Sequence, residues 1–183
     1  MLGKTLLFLS GWRIEGTLPN VKRIVLVSAP HTSNWDFIIG MFFLLGTDLK
    51  SNFLVKKSIF VPIFKILLKK LGGIPVDRKN PELLVQEIAD YAKKNEDFVI
   101  LVTPEGTRKK TTKWKTGFLR IAKTSNSIIL PLGIDYPTKI FRLEKVFNPT
   151  GDNNKDILAL KYIFKDYRGR YTKEHLAPSD LNN

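Results

Sequence analysis

The chain has 183 residues, of which 43% are hydrophobic, enough for one sizeable core and too many for a disordered polymer. Its 30 lysines and arginines against 17 aspartates and glutamates leave a formal net charge of +13, which calls for an anionic partner such as a membrane surface, a nucleic acid or a phosphorylated substrate. With no cysteine, disulfides and thiolate metal sites are excluded.

In chain order, residues 1–12 come first. They are apolar between glycine and charge and lack a small-residue cleavage pattern, so they read as a segment that packs on the domain or contacts a membrane, not as a signal peptide. Residues 23–28, Arg23-Ile24-Val25-Leu26-Val27-Ser28, are the β-branched and apolar run of a buried strand. Pro30 restricts Ala29 to extended geometry, and residues 35–45 are apolar nearly all round, as in a buried helix. His31 and Asp36, in His31-Thr32-Ser33-Asn34-Trp35-Asp36, therefore fall at the handover from strand to helix. On one continuous helix their five-residue step would turn them about 140° apart, whereas a turn before the helix start lets them meet. Ser33 and Asp36 also have the spacing of a capping box, in which the carboxylate satisfies a free backbone N–H. The two roles are compatible if the second carboxylate oxygen remains free.

Residues 52–55 read as a strand. Residues 56–70 set five lysines among Ile59-Phe60-Val61-Pro62-Ile63-Phe64 and Ile66-Leu67-Leu68, and read as a helix with an apolar face and a cationic margin. Such a helix suits a bilayer interface, where each lysine near anionic lipid contributes about 1 kcal/mol, or a core with a solvated edge. A short strand at residues 74–76 leads to Arg78. Asn80 as cap, Pro81 at the first position and Glu82 in the first turn mark a helix over residues 81–94.

The strand expected at residues 97–102 runs into Thr103-Pro104-Glu105-Gly106-Thr107-Arg108, a turn whose backbone N–H groups and guanidinium suit a phosphate or a thioester oxyanion. The basic run Arg108-Lys109-Lys110-Thr111-Thr112-Lys113-Trp114-Lys115 precedes a helix around residues 116–124. A strand at residues 127–131 opens the apolar run 128–134, broken by Pro131. A late strand is expected over residues 141–147 and a last helix over 155–167, and the tail 177–183 is expected to fray. The uncharged, largely apolar run over residues 37–47 falls well short of the roughly 20 residues a membrane-spanning helix needs. Alternating strands and helices with no repeat or linker point to a single α/β domain over residues 1–183.

Four blocks, around His31 and Asp36, around Arg78, at residues 103–108 and at residues 128–134, resemble in their order and spacing the glycerolipid acyltransferases typified by 1-acyl-glycerol-3-phosphate acyltransferase, the family of the HxxxxD pattern. The resemblance covers about residues 11–137. It implies a mixed, largely parallel central sheet flanked by helices. It also implies acyl transfer to the hydroxyl of a lysophospholipid at the cytoplasmic face of an anionic membrane, with acyl-CoA or acyl-carrier protein as co-substrate and no metal or other cofactor. By resemblance, His31 and Asp36 are catalytic, while Glu105, Gly106, Thr107 and Arg108 form the acceptor-phosphate loop. Arg78 is the second-block arginine. Lys56 matches a basic position often placed before that block, although the family commonly carries Glu where this chain has Ser58.

The chemistry explains the pair. An alcohol is about as weak an acid as water, near 15.7, so its complete prior deprotonation by an imidazole of pKa about 6.5 would cost about 12 kcal/mol. Turnover near 10 per second allows a barrier of only about 16 kcal/mol. Concerted general-base catalysis follows, with His31 accepting the proton as the oxygen attacks. Asp36 would fix the tautomer and stabilise the imidazolium, and the helix start would oppose that charge. A covalent route has no cysteine and no Gly-x-Ser-x-Gly elbow to use. Backbone amides near Gly106 are the candidates for oxyanion donors. A nucleic-acid module would stack bases on the 12 Phe, 5 Tyr and 3 Trp, but most of these sit inside apolar runs that belong in a core, so no nucleic-acid partner is expected. A non-catalytic lipid-binding domain would have no need of both His31 and Asp36.

Overall fold

Short apolar runs and capped helical segments alternate along the chain, and the computed structural model arranges them as one layered α/β unit. It describes residues 2–47, 49, 52–56, 61–70, 72–76 and 80–171. The elements are α1 (Leu2–Ser10), β1 (Arg13–Glu15), β2 (Arg23–Ala29), α2 (Trp35–Gly46), β3 (Asn52–Lys56), α3 (Pro62–Lys70) and β4 (Gly73–Val76). They continue with α4 (Pro81–Lys94), β5 (Phe98–Val102), α5 (Gly117–Ser125), β6 (Ile128–Asp135), β7 (Ile140–Leu143) and α6 (Asn153–Phe164). Seven strands form one sheet in the order β1-β7-β6-β2-β5-β3-β4. Pairing is parallel except between β6 and β7, so the sheet is mixed and mostly parallel, as expected.

β2 lies at the centre, Arg23 opposite Phe98 of β5 and Ile24 opposite Ile128 of β6. A strand covered on both faces has no polar side to keep, which is why residues 24–27 read as an unbroken apolar run. Val25 and Val27 face a cluster with Val85, Ile88, Phe118 and Leu160 of α4, α5 and α6. Ile24 and Leu26 face the opposite cluster, built from Leu7 of α1, Ile39 and Phe43 of α2, and Phe141. The helices thus cover both faces of the sheet. α1 packs along α2 so closely that a Cβ on Gly3 would lie 2.1 Å from the Leu45 carbonyl carbon.

Several expectations shift. The N-terminal segment is a helix on α2, and the three-residue β1 beside β7 was not anticipated because so short an edge strand carries no periodic signal. α2 is not buried all round: Trp35, Phe37, Ile38 and Leu45 are exposed. Pro131 does not end β6. Its carbonyl accepts from Glu144 N–H just beyond β7, so its missing N–H falls past the end of the β6–β7 ladder. The late strand stops at Leu143, and Phe147 touches β6 only through an isolated bridge to Ile129. The last helix starts at Asn153, where the Asp152 side chain accepts from Asn154 and Lys155 N–H, and ends at Phe164. Arg78 and the tail 177–183 lie outside the described residues, as do residues 57–60 of the lysine-edged segment.

Candidate active site

β2, β5 and β6 run parallel, so their C-terminal ends open on the same edge of the sheet, where ligands of open α/β sheets bind. β2 ends at Ala29, joined to Pro30 by a cis peptide, and His31 opens the turn into α2. Asp36 lies in the first turn of that helix. The turn does what the spacing required: His31 Nδ1 and Asp36 Oδ2 are 3.0 Å apart.

The same oxygen, Oδ2, accepts from Thr32 N–H at 2.6 Å and from Ser33 N–H at 2.8 Å, while Ser33 Oγ accepts from Trp35 N–H at 3.1 Å. Capping and orienting are therefore one interaction set. The second oxygen is not free, contrary to expectation: Oδ1 accepts from the Tyr136 hydroxyl at 2.6 Å. Burial by itself would push the Asp36 carboxyl up, but the hydrogen bonds from His31, Tyr136, Ser33 and Thr32 outweigh it and hold the group below the usual aspartate value. An ionised carboxylate can only accept, so the proton between the two residues belongs to His31 Nδ1.

The loop after β5 meets this turn from the other side. Glu105 is 2% exposed, and its Oε1 accepts from His31 N–H at 2.7 Å. Its carboxylate thus ties the loop after β5 to the turn that carries His31. Gly106 takes a left-handed conformation with φ 64°, which lets the loop reverse tightly and donate Gly106 N–H to Thr103. Thr107 Oγ1 accepts from Lys109 N–H, and Arg108 is exposed. Lys56 is the last residue of β3, and Arg78 lies outside the described residues.

A cavity of about 550 Å³ opens beside His31 and Asp36. Among the described residues β3 pairs with β5 at Asn52 and Phe53 and with β4 from Phe53 to Lys56, while β5 pairs with β2 as far as Val102. Phe53, Leu54, Leu101 and Val102 of β3 and β5 line the cavity, and Phe37, Gly40 and Phe43 of α2 continue its apolar wall. Gly106, Lys115 and Arg120 also line it, so the structure joins a hydrophobic interior to cationic groups. Arg120 is additionally paired with Glu82 through both terminal guanidinium nitrogens.

Tyr136, Lys115 and Arg120 are the functional candidates that the sequence did not single out in these roles. Lys115 was visible only as part of a basic run. Tyr136 follows directly on β6, so the strand-end rule would have found it had β6 been expected to continue past Pro131.

The family model described as Acyltransferase matches residues 12–135, from just before β1 to the last residue of β6. A search of curated proteins finds no match to the chain. Because the matched span takes in the turn bearing His31 and Asp36, the loop of Glu105 and Gly106 and most of the cavity wall, the chain belongs to the glycerolipid acyltransferase family, and it is an acyltransferase.

Proposed function

We propose that the protein transfers a fatty acyl group from acyl-CoA or acyl-carrier protein to the hydroxyl of a lysophospholipid, 1-acyl-glycerol-3-phosphate in the first instance. The observation that carries this reading is a histidine held by an ionised aspartate on the wall of a mostly apolar cavity large enough for a fatty chain. With Nδ1 committed to Asp36, Nε2 is the nitrogen that takes the alcohol proton. The acceptor oxygen bonds to the thioester carbonyl carbon as that proton leaves. The C–S bond then breaks, and the departing thiolate recovers the proton from the imidazolium or from solvent. Asp36 supports the transient positive charge without becoming protonated. Gly106 N–H is engaged by Thr103, so the anionic head group is assigned to the exposed Arg108 and to Lys115 at the cavity wall.

The acceptor lives in a bilayer, and the surface supports access to one. Phe8 and Leu9 of α1 are 81% and 75% exposed, and Trp35, Ile38 and Leu45 of the adjoining α2 are exposed as well. On α3, exposed Ile66 stands among exposed Lys65, Lys69 and Lys70. Among the described residues no helix is long and apolar enough to cross a membrane. We therefore place the protein on an anionic membrane surface, on the cytoplasmic side, with apolar side chains inserted and lysines over the head groups.

The test is thiol release by purified protein from acyl-CoA or acyl-carrier protein, with a panel of lysolipids and glycerol phosphate as acceptors. An acceptor should accelerate release, and His31→Ala should reduce that acceleration by about 10²–10⁴-fold, the usual contribution of a general base. Release that no acceptor accelerates, or that His31→Ala leaves intact, refutes the reading.

A further inference from the structure

The support of the His31–Asp36 pair extends past the residues shared with the family. Tyr136 stands immediately after the matched span, and its hydroxyl fills Asp36 Oδ1. Burial first, and then the Asp36 carboxylate, push its phenol well above the usual tyrosine range, so it remains a neutral donor. The ring is fixed edge-on against Trp12, with centroids 5.1 Å apart. Its backbone is fixed too, since Tyr136 N–H donates to the Arg168 carbonyl at 2.9 Å.

That last bond ties Tyr136 to the stretch after α6, which runs back across the catalytic turn. The Tyr167 ring lies so close over β6 that a Cβ on Gly133 would come within 2.2 Å of it. A Cβ on Gly169 would likewise lie 2.2 Å from Thr32 Cγ2. The Arg170 guanidinium lies 4.9 Å from the centre of the Trp35 ring, and Tyr171 N–H reaches Thr32 Oγ1 at 3.4 Å. Thr32 and Trp35 are both members of the turn that carries His31 and Asp36.

We propose that Tyr136 is a positioning residue for the His31–Asp36 pair, and that residues 167–171 form a strap holding both Tyr136 and the turn in register. The proposal rests on the reading of His31 as general base. With the phenol in place, the carboxylate is gripped at both oxygens and cannot swivel about its own axis. Oδ2 then stays aimed at Nδ1, and the imidazole keeps the tautomer that leaves Nε2 as proton acceptor. Without the phenol, Oδ1 has no donor among the described residues, and the carboxylate can turn to seek water.

Tyr136→Phe tests this with two readouts. The chain has two histidines, so the His31 ring nitrogens can be assigned by ¹⁵N NMR against His31→Ala, and this readout needs no turnover. The wild type should show the Nδ1–H tautomer, and Tyr136→Phe a mixture of both. In the acyl-transfer assay kcat should fall about tenfold, equivalent to about 1.4 kcal/mol, with KM changed less than twofold. Where wild-type protein transfers no acyl group, the enzymatic reading fails while the tautomer comparison still decides the positioning role. An unchanged tautomer in folded Tyr136→Phe overturns the proposal, whether kcat falls or not. Should Tyr136→Phe fail to fold, Gly169→Ala applies the same test from the strap: its methyl group must displace Thr32, and an unaltered His31 tautomer would overturn the proposal.

Discussion

Gly40 offers a measurement of what the cavity is for. It lies in the interior of α2, it lines the cavity, and a Cβ built on it meets nothing within 4 Å. Gly40→Leu therefore puts four carbons into space that an acyl chain would otherwise occupy. Excluding about four methylenes at ~0.8 kcal/mol each removes roughly 3 kcal/mol of binding from the longest chains, or about two orders of magnitude in kcat/KM. Chains short enough to stop before Gly40 should lose little. The fold should gain, because replacing glycine inside a helix stabilises it by about 0.5–1 kcal/mol. The assay is thiol release across a series of acyl-CoA chain lengths, run beside a thermal melt. The opposed outcomes, a higher Tm and a truncated chain-length profile, are hard to obtain by general damage. A variant that accepts every chain length as the wild type does would show that acyl groups do not occupy this cavity.

Asp36→Asn should destabilise the protein at neutral pH by about 1–3 kcal/mol, since an amide cannot accept from every donor that surrounds this buried carboxylate. The folded state holds the Asp36 carboxyl below its ordinary value of 3.8, so its stabilisation is complete above that pH and is lost as pH falls through the lowered value. Urea unfolding of both proteins at pH 7 and in the acid range below 3.8 should show the difference shrinking, and a difference that stays constant with pH would contradict the linkage. Replacing both Phe8 and Leu9 with serine should weaken binding to anionic phospholipid vesicles at least tenfold, because each apolar side chain contributes about 1.5–3 kcal/mol when buried. It should leave the urea midpoint nearly unchanged, since both side chains are already exposed. Vesicle co-sedimentation decides the point, and retained binding would move the membrane contact elsewhere.

Legibility followed how local each signal was. The continuous apolar run of β2 announced a strand buried on two faces, and Asn80 followed by Pro81 marked the start of α4, where the Asn80 side chain accepts from Leu83 N–H. The convergence of His31 and Asp36 was readable because both lie within six residues and the break between strand and helix sits among them. Tyr136 and the strap were not readable, because they reach the turn through the fold: 100 positions separate Tyr136 from Asp36, and 139 separate Tyr171 from Thr32. The apolar stretch of α2 looked like a wholly buried helix because a sequence cannot distinguish a face turned to the core from one turned to a bilayer or to solvent.

The geometry at Asp36 joins the stability of the fold to the proposed chemistry at the level of single atoms. Oδ2 caps the start of α2 through Thr32 and Ser33 and at the same time holds the imidazole, so the helix start restrains the pair together with the Tyr136 phenol at Oδ1. Glu105 adds the second restraint. By accepting from His31 N–H it ties the loop after β5 to the same turn, which keeps Gly106 and Lys115 at the cavity wall in a fixed relation to His31. On the proposed reading, a substrate entering this cavity meets groups whose positions were set by folding. The binding free energy of an acyl chain there would go toward alignment of the reacting oxygen and carbonyl, because the proposed site is already assembled.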